Sequence, residues 1–162
     1  MEIERKYLIE HLPQHFLAFP SVLIEQAYLC TEPVVRIRKE DDQYWLTYKG
    51  KGLLAREEYN LPLTKEAYLH LLKKADGRIL TKRRYKIPLP EAMKEEPSVL
   101  LSPLEQGLTV ELDVFQGYYE GLILAEVEFP SLEEAQKFVP PAWFGRDVTL
   151  SGEYQNSRLS QN

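Results

Sequence analysis

Alternating hydrophobic and polar residues dominate this sequence and predict a protein built mainly of β-strands. A period of two places successive side chains on opposite faces of a strand. The alternating segments are rich in Val, Ile, Leu, Tyr and Phe, which suit a pleated, half-buried surface. Turn residues such as Asp41-Asp42 and Gly50-Lys51-Gly52 separate them. Eight strands are predicted, at Glu2–Ile9, Val22–Cys30, Val34–Glu40, Tyr44–Gly50, Leu54–Leu61, Arg78–Ile87, Leu108–Phe115 and Leu122–Phe129.

Two segments have apolar residues at helical spacing instead. The first is residues 64–75, where Thr64 is a suitable N-cap. The second follows Ser131, which forms a capping-box pattern with Glu134. The proline-rich connector 88–106 is expected to be a surface loop with at most one helical turn. The fold class is therefore mainly β (α+β): a closed eight-stranded antiparallel β-barrel with a few short flanking helices.

Composition narrows the function classes. The chain has 162 residues and a net charge of −5, which fits one domain spanning 1–162 and argues against a nucleic-acid partner. Cys30 is the single cysteine, so an intramolecular disulfide is excluded and a reducing compartment is expected. The first residues alternate in charge, and the aliphatic runs are too short to cross a bilayer. These features predict a cytoplasmic protein with no membrane partner.

The charged residues of the strands are sorted by sign. A small barrel normally points apolar residues inward, yet here like charges recur at every second position. Acidic pairs fall on the first and the last two strands, and basic pairs fall on the third and sixth. A soluble surface would mix the signs. Separate patches instead suit a polyanion held by arginine and lysine together with metal ions held by carboxylates.

Ordered motifs along nearly the whole chain carry a family resemblance. The N-terminal Glu2-x-Glu4-x-Lys6 resembles the signature of the CYTH domain, or triphosphate tunnel metalloenzyme, superfamily. The matching strings that follow are QAYL from 26, VRIR from 35, LTYK from 46, REEY from 56, KRRY from 82, VELDVF from 110, AEVEF from 125 and WFGRDVT from 143. One departure is Asn60, which ends the Arg-x-Glu-x-Glu run of many members. The resemblance is closest to bacterial single-domain inorganic triphosphatases.

The resemblance implies a charged tunnel that binds triphosphate with Mg²⁺ or Mn²⁺, as two ions. Lys6 and Tyr28 are expected to act in catalysis, Tyr28 by a hydrogen bond to Lys6 that helps to orient water. The expected phosphate-binding residues are Lys6, Arg36, Arg38, Lys49, Arg56, Lys82 and Arg84. The expected metal ligands are Glu2, Glu4, Glu126 and Glu128, with Glu111 and Asp113 as ligands or their supports. Glu58 is expected to be a structural partner of an arginine.

The activity implied is metal-dependent hydrolysis of tripolyphosphate to phosphate and pyrophosphate. The same scaffold leaves open a class IV adenylate cyclase, a thiamine triphosphatase and a non-catalytic polyphosphate-binding module. Both carboxylate pairs, Glu2/Glu4 and Glu126/Glu128, argue against the last, since phosphate binding alone does not need them. The expected partner is a small triphosphate substrate, and a homodimer is also consistent with the family.

Overall fold

A computed structural model describes residues 1–96 and 98–161 of the chain. Within these residues, nine strands form one sheet, in which every pairing is antiparallel. They are β1 Glu2–Leu8, β2 Ser21–Thr31, β3 Val34–Glu40, β4 Gln43–Lys49, β5 Ala55–Arg56, β6 Glu58–Leu63, β7 Asp76–Pro88, β8 Thr109–Gln116 and β9 Ile123–Glu128.

The sheet curls into a nearly closed barrel. Its order is β5-β1-β9-β8-β7-β2-β3-β4-β6, so the two outermost strands are β5 and β6. Only Glu57 separates these two strands along the chain. The predicted strand Leu54–Leu61 is thus split: its first part pairs with β1 and its second part with β4. The antiparallel barrel is confirmed, and the predicted count of eight strands is corrected to nine.

In the part of the chain that the structure describes, four α-helices flank the barrel: α1 Lys65–Leu72, α2 Leu89–Ala92, α3 Leu132–Lys137 and α4 Asn156–Leu159. Both predicted N-caps are confirmed, because the Thr64 hydroxyl accepts a hydrogen bond from the Ala67 amide and the Ser131 hydroxyl from the Glu134 amide. Short 3₁₀ turns lie at Gln14–Ala18, Glu105–Gly107 and Gly117–Tyr119. None of the helices within the described ranges has the length and apolar character needed to cross a lipid bilayer.

Most of the apolar core lies outside the barrel wall. Residues that alternate with the charged ones, such as Tyr7, Leu112 and Val127, are almost fully buried. They pack in one cluster with Ala135 of α3 and Phe144. A second cluster joins the opposite side of the sheet to Tyr68 of α1. Since helices and loops cover the outer face, the inner face of the strands is left for polar residues.

One end of the barrel is filled by apolar side chains. This third cluster, called the plug here, contains Tyr28, Val34, Leu80, Phe115, Leu124, Val148 and Leu159. Leu80 and Leu124 lie two residues from Lys82 and Glu126, so by strand alternation they share the inner face. Leu159 comes from α4, which therefore covers this end.

The connector 88–106 differs from its prediction. It contains the short helix α2, and the 3₁₀ turn Glu105–Gly107 begins at its end, but its first part is not a surface loop. Leu89 and Met93 are buried in the outer cluster, and the Trp143 indole donates a hydrogen bond to the Ala92 carbonyl. Pro97, within this connector, lies outside the described residues. The connector thus supports the barrel wall.

Candidate active site

A cavity of about 300 Å³ lies inside the barrel and gathers nearly all of the predicted site residues. Residues far apart in the sequence meet there because the strand register aligns their inward-facing positions. Lys6 pairs with Glu126 across β1 and β9, and Glu4 pairs with Glu128 in the same ladder. The predicted residues on the cavity wall are Glu2, Glu4, Lys6, Tyr28, Arg36, Arg38, Lys49, Arg56, Glu58, Lys82, Arg84, Glu111, Glu126 and Glu128.

Four cations form what is called here the cradle: the buried Arg36 and the partly buried Arg38 on β3, and the buried Lys82 and Arg84 on β7. Burial, together with the positive charges of Arg36 and Arg84, lowers the pKa of Arg38 to about 10. The pKa of Lys82 is lowered to about 7, because burial and the charge of Arg84 together outweigh the opposing charge of Asp113. The surroundings of Arg38 and Lys82 therefore compensate their positive charge only in part, whereas Asp113 and Glu111 raise the pKa of Arg84 against the effect of burial.

Arg36 has an unused hydrogen-bond donor in the cavity. Its side chain is buried, and its Nε has no acceptor among the described residues. Its guanidinium does hydrogen-bond Tyr28. The expected hydrogen bond between Tyr28 and Lys6 is not formed among the described residues. The Lys6 ammonium instead contacts Glu126 and the Tyr154 carbonyl. Tyr28 thus borders the cavity as a partner of Arg36, and its ring belongs to the plug.

Carboxylates on β1 and β9 form the opposite side of the cavity, called here the acidic wall: Glu2, Glu4, Glu126 and Glu128. Burial raises the pKa of Glu4 well above its usual range, and repulsion from Glu126 and Glu2 raises it further. Burial alone would also raise the pKa of Glu126, but Lys6, Arg84 and Lys82 hold it well below its usual range. Glu4 hydrogen-bonds Glu126, so two carboxyl groups share this position.

Lys49 joins two carboxylates on opposite sides of the β5–β6 break. Its ammonium lies 2.9 Å from Glu2 Oε1 and 3.1 Å from Glu58 Oε2. Burial and a hydrogen bond with Glu58 raise the pKa of Glu2. Glu58 was expected to support an arginine, but its ion-pair partner is Lys49. Arg56 lies 3.9 Å from Glu2 and completes this group at the break.

Asp113 is the one predicted ligand that the cavity wall does not include. It is fully buried behind the cradle. Its two oxygens accept hydrogen bonds of 2.7 and 2.9 Å from Arg84, and the Lys82 ammonium lies 2.7 Å away. Although burial alone would raise its pKa, Arg84 and Lys82 lower it. The structure therefore makes Asp113 a structural anion that holds two cradle residues.

The sequence matches the CYTH domain over residues 1–160. The chain belongs to the CYTH domain family. It is 36% identical over 162 residues to the inorganic triphosphatase of Nitrosomonas europaea, covering 98% of this chain and 96% of that protein. It is 34% identical over 166 residues to the inorganic triphosphatase of Acetivibrio thermocellus, covering 99% and 94%. A crystal structure of an inorganic triphosphatase matches it with a TM-score of 0.68 at 33% identity, covering 100% and 95%.

CYTH triphosphate tunnel enzymes depend on metal ions, and the acidic wall has suitable donors. Carboxylate oxygens are the ligands that Mg²⁺ and Mn²⁺ prefer. No group of three acidic, histidine or cysteine side chains is close enough to hold an ion by itself within residues 1–96 and 98–161. Mg²⁺ usually takes only one or two carboxylates and completes its shell with water and substrate phosphates. The hydrogen-bonded pair Glu4–Glu126 fits that mode, since a cation would relieve the repulsion that raises the pKa of Glu4.

The CYTH tunnel also contains residues that the sequence reasoning did not place there. They are Glu40, Trp45, Thr47, Asn60 and Asn156. Asn60 accepts a 2.6 Å hydrogen bond from the Thr47 hydroxyl and donates one to Glu58, so an amide stands where many members have a carboxylate. Strand alternation from Lys49 and Arg38 could have identified Trp45, Thr47 and Glu40. Asn156 could not be found in this way, because it lies on α4.

Proposed function

We propose that this CYTH protein hydrolyses tripolyphosphate to phosphate and pyrophosphate, with two Mg²⁺ or Mn²⁺ ions in its tunnel. The observation that carries the proposal is the charge of the cradle. Burial and the positive charges of Arg36 and Arg84 lower the pKa of Arg38, so its charge is unfavourable without an anion, and a linear polyphosphate supplies several negative charges within one tunnel. The two inorganic triphosphatases that are similar to this protein over nearly its full length support the same activity.

The cradle residues bind and orient the substrate. Arginine forks bind phosphate oxygens through two parallel hydrogen bonds, and the free Nε of Arg36 is one such donor. Arg38 is held by the Gln26 side-chain oxygen at 3.2 Å and by Glu40 at 3.1 Å, which fixes its guanidinium before substrate arrives. Preorganised cations stabilise the charge that spreads over the transferring phosphoryl group without having to move during the reaction.

The acidic wall would hold the metal ions, with Glu2, Glu4, Glu126 and Glu128 as proposed ligands and Glu111 beside them. When bound, a divalent ion neutralises phosphate oxygens and makes water a better nucleophile. Lys6 lies 3.6 Å from Glu126 and keeps this carboxylate ionised and fixed in place. Asp113 is left out of this ligand set, because both of its oxygens are bound by Arg84 and Lys82.

The chemical step balances without further reactants. The water oxygen forms a bond to the terminal phosphorus, and the bond from that phosphorus to the bridging oxygen breaks. The bridging oxygen leaves as part of pyrophosphate, and the proton that the attacking water loses passes to the products or to solvent. In P-loop enzymes and kinases such transfers rest almost entirely on positioning and charge neutralisation, which are the two properties that the cradle and the acidic wall offer.

A ³¹P NMR time course tests the proposal. Tripolyphosphate and ATP are incubated separately with the protein and Mg²⁺ or Mn²⁺, then with excess chelator. We expect conversion of tripolyphosphate to phosphate plus pyrophosphate, abolished by chelator, with ATP slower. Pyrophosphate formed from ATP without free phosphate would instead establish a cyclase. If both substrates stay intact, the proposed hydrolysis is wrong, and thiamine triphosphate is the next substrate to assay.

Three further expectations from the sequence remain proposals. One domain spanning 1–162 is supported by the CYTH match over residues 1–160. A cytoplasmic location is supported by the single exposed cysteine, Cys30, which suits a reducing compartment. A homodimer is measurable by sedimentation, which gives the mass in solution.

A further inference from the structure

Residues near α4 place two uncharged acceptors against the lysines of the tunnel. The Tyr154 carbonyl oxygen lies 3.3 Å from the Lys6 ammonium. The Asn156 side-chain oxygen lies 3.3 Å from the Lys82 ammonium. The first acceptor belongs to the backbone and survives any substitution. The second belongs to a side chain, so its contribution can be measured.

The Lys82 ammonium needs hydrogen-bond acceptors because it is fully buried. A buried charge is unfavourable unless its hydrogen-bonding groups are satisfied, and an ammonium has three N–H donors. Asp113 accepts from one side at 2.7 Å and Asn156 from another at 3.3 Å. Lys82 also borders the tunnel. Two protein acceptors therefore fix the orientation of the ammonium and leave its third donor for a phosphate oxygen.

An amide suits this position better than a carboxylate. Lysine has donors only, so the oxygen of Asn156 must face it. This oxygen orients the ammonium without adding a negative charge to a tunnel that has to admit a polyanion. Asp113 can be charged because it lies behind Lys82 and outside the cavity wall, whereas Asn156 is on the wall itself.

The position of Asn156 is fixed by contacts that do not involve its side chain. Leu159, on the same helix, is buried in the plug. The Tyr119 hydroxyl donates a 2.8 Å hydrogen bond to the Leu159 carbonyl, and the Arg78 amide donates one of 2.7 Å to the Ser160 carbonyl. The helix is thus held against the barrel when the Asn156 amide is altered.

We propose that Asn156 is a positioning residue that orients the Lys82 ammonium toward the phosphate chain. The inference rests on the proposed triphosphatase activity and deepens it. Nothing in it requires Asn156 to touch the reacting atoms. Its effect passes through Lys82, so it disappears when Lys82 is removed.

A double-mutant cycle tests this inference. Asn156→Leu, Lys82→Met and the double variant are assayed with tripolyphosphate and metal. Asn156→Leu removes a hydrogen bond to a charged group. When Lys82 is present, we therefore expect this change to lower kcat by about 10- to 100-fold relative to the wild type. In the Lys82→Met background the same change should have an effect of less than about twofold. Arg158→Gln, an exposed change on the same helix, is the control and should leave kcat unchanged.

Asn156→Asp separates positioning from structure. It keeps an acceptor for Lys82 but adds a negative charge to the tunnel, so we expect KM to rise while kcat stays near that of the wild type. This variant also serves if Asn156→Leu does not fold, as judged by circular dichroism. Equal losses of kcat in both Lys82 backgrounds, or a loss of kcat in Asn156→Asp as large as in Asn156→Leu, would overturn the inference. Wild-type protein inactive on tripolyphosphate would instead overturn the proposed function, and the inference with it.

Discussion

Arg84 binds Asp113 through two nearly parallel hydrogen bonds, of 2.7 Å from its Nε and 2.9 Å from its Nη2. Asp113 is completely buried, and the Lys82 ammonium lies 2.7 Å from one of its oxygens. This carboxylate is the anion that allows two cradle cations to exist inside the protein. Of the two roles expected for Asp113 from the sequence, metal ligand or support, we propose the second, because both of its oxygens are bound by cradle cations.

Asp113→Asn should lower the stability of the protein far more than its affinity for metal. Removing one partner of a buried ion pair leaves uncompensated charge, at a cost of about 3–5 kcal/mol in the free energy of unfolding. Urea unfolding measures this loss, and Asp42→Asn, in an exposed turn, is the control, with a change within about 0.5 kcal/mol. Unchanged stability with weakened Mn²⁺ binding would restore Asp113 as a ligand.

Arg38→Met should weaken substrate binding without destabilising the free protein. The change removes a partly buried charge whose pKa is lowered by burial and by Arg36 and Arg84. It also removes hydrogen bonds to phosphate, so the Kd for tripolyphosphate should rise by about 10- to 100-fold. Calorimetry in chelator gives the Kd, and thermal unfolding gives the stability.

Lys39→Met is the matched control for Arg38→Met, because Lys39 is the next residue of β3 and does not border the cavity. It should leave the Kd within about twofold of the wild-type value. A rise as large as that of Arg38→Met would mean that net charge, and not the cradle, governs binding.

Binding of tripolyphosphate should be accompanied by proton uptake between about pH 7 and 10. The pKa of Lys82 is lowered to about 7 by burial and by Arg84. An anion in the cradle favours the charged ammonium and therefore raises this pKa. In the free protein, the folded pKa lies below the unfolded one. The stability contributed by this group is therefore complete above the unfolded pKa and is lost as pH falls through about 7.

Calorimetry measures this proton uptake as the difference in binding heat between two buffers that differ in ionisation enthalpy. Both buffers contain chelator and are set to pH 8.5, about midway between pH 7 and 10. Comparison with Lys82→Met removes any protonation of the ligand itself. Identical uptake by the two proteins would show that Lys82 does not change its charge on binding.

Gly145→Ala should destabilise the protein, although Gly145 is exposed. An added Cβ would lie 2.4 Å from the Leu8 carbonyl oxygen, which accepts a hydrogen bond from the Gly145 amide. The clash would separate this loop from β1, at a cost of about 1–3 kcal/mol. Gly107→Ala is the control, because its Cβ would meet nothing within 4 Å. Equal melting temperatures for the two variants would contradict the close approach.

Strand alternation in the sequence was sufficient to predict the barrel and most of the tunnel. It works because each strand places every second residue on the same face, as with Arg36 and Arg38 or Lys82 and Arg84. Alternation does not report depth, however. Glu111 and Asp113 share a face, yet the first borders the cavity and the second is buried behind it.

The split of the strand at Glu57 and the contact of Asn156 could not be predicted for a different reason. The alternation of Arg56 and Glu58 continues without interruption across Glu57, so nothing local marks the change of partner from β1 to β4. Asn156 reaches Lys82 from a short helix far along the chain. Both features depend on how the closed barrel is assembled, which is a property of the whole fold.

The pairing of β1 with β9 also determines when the protein can fold during its synthesis. β1 ends at Leu8 and β9 begins at Ile123, so the ribosome must add about 115 residues before the two strands can meet. At about 5–20 residues per second this takes about 6–23 s. Until then Glu4 and Lys6 lack the strand opposite them. The acidic wall is therefore among the last parts of the molecule to form, after the hairpins that carry Arg36 and Arg38.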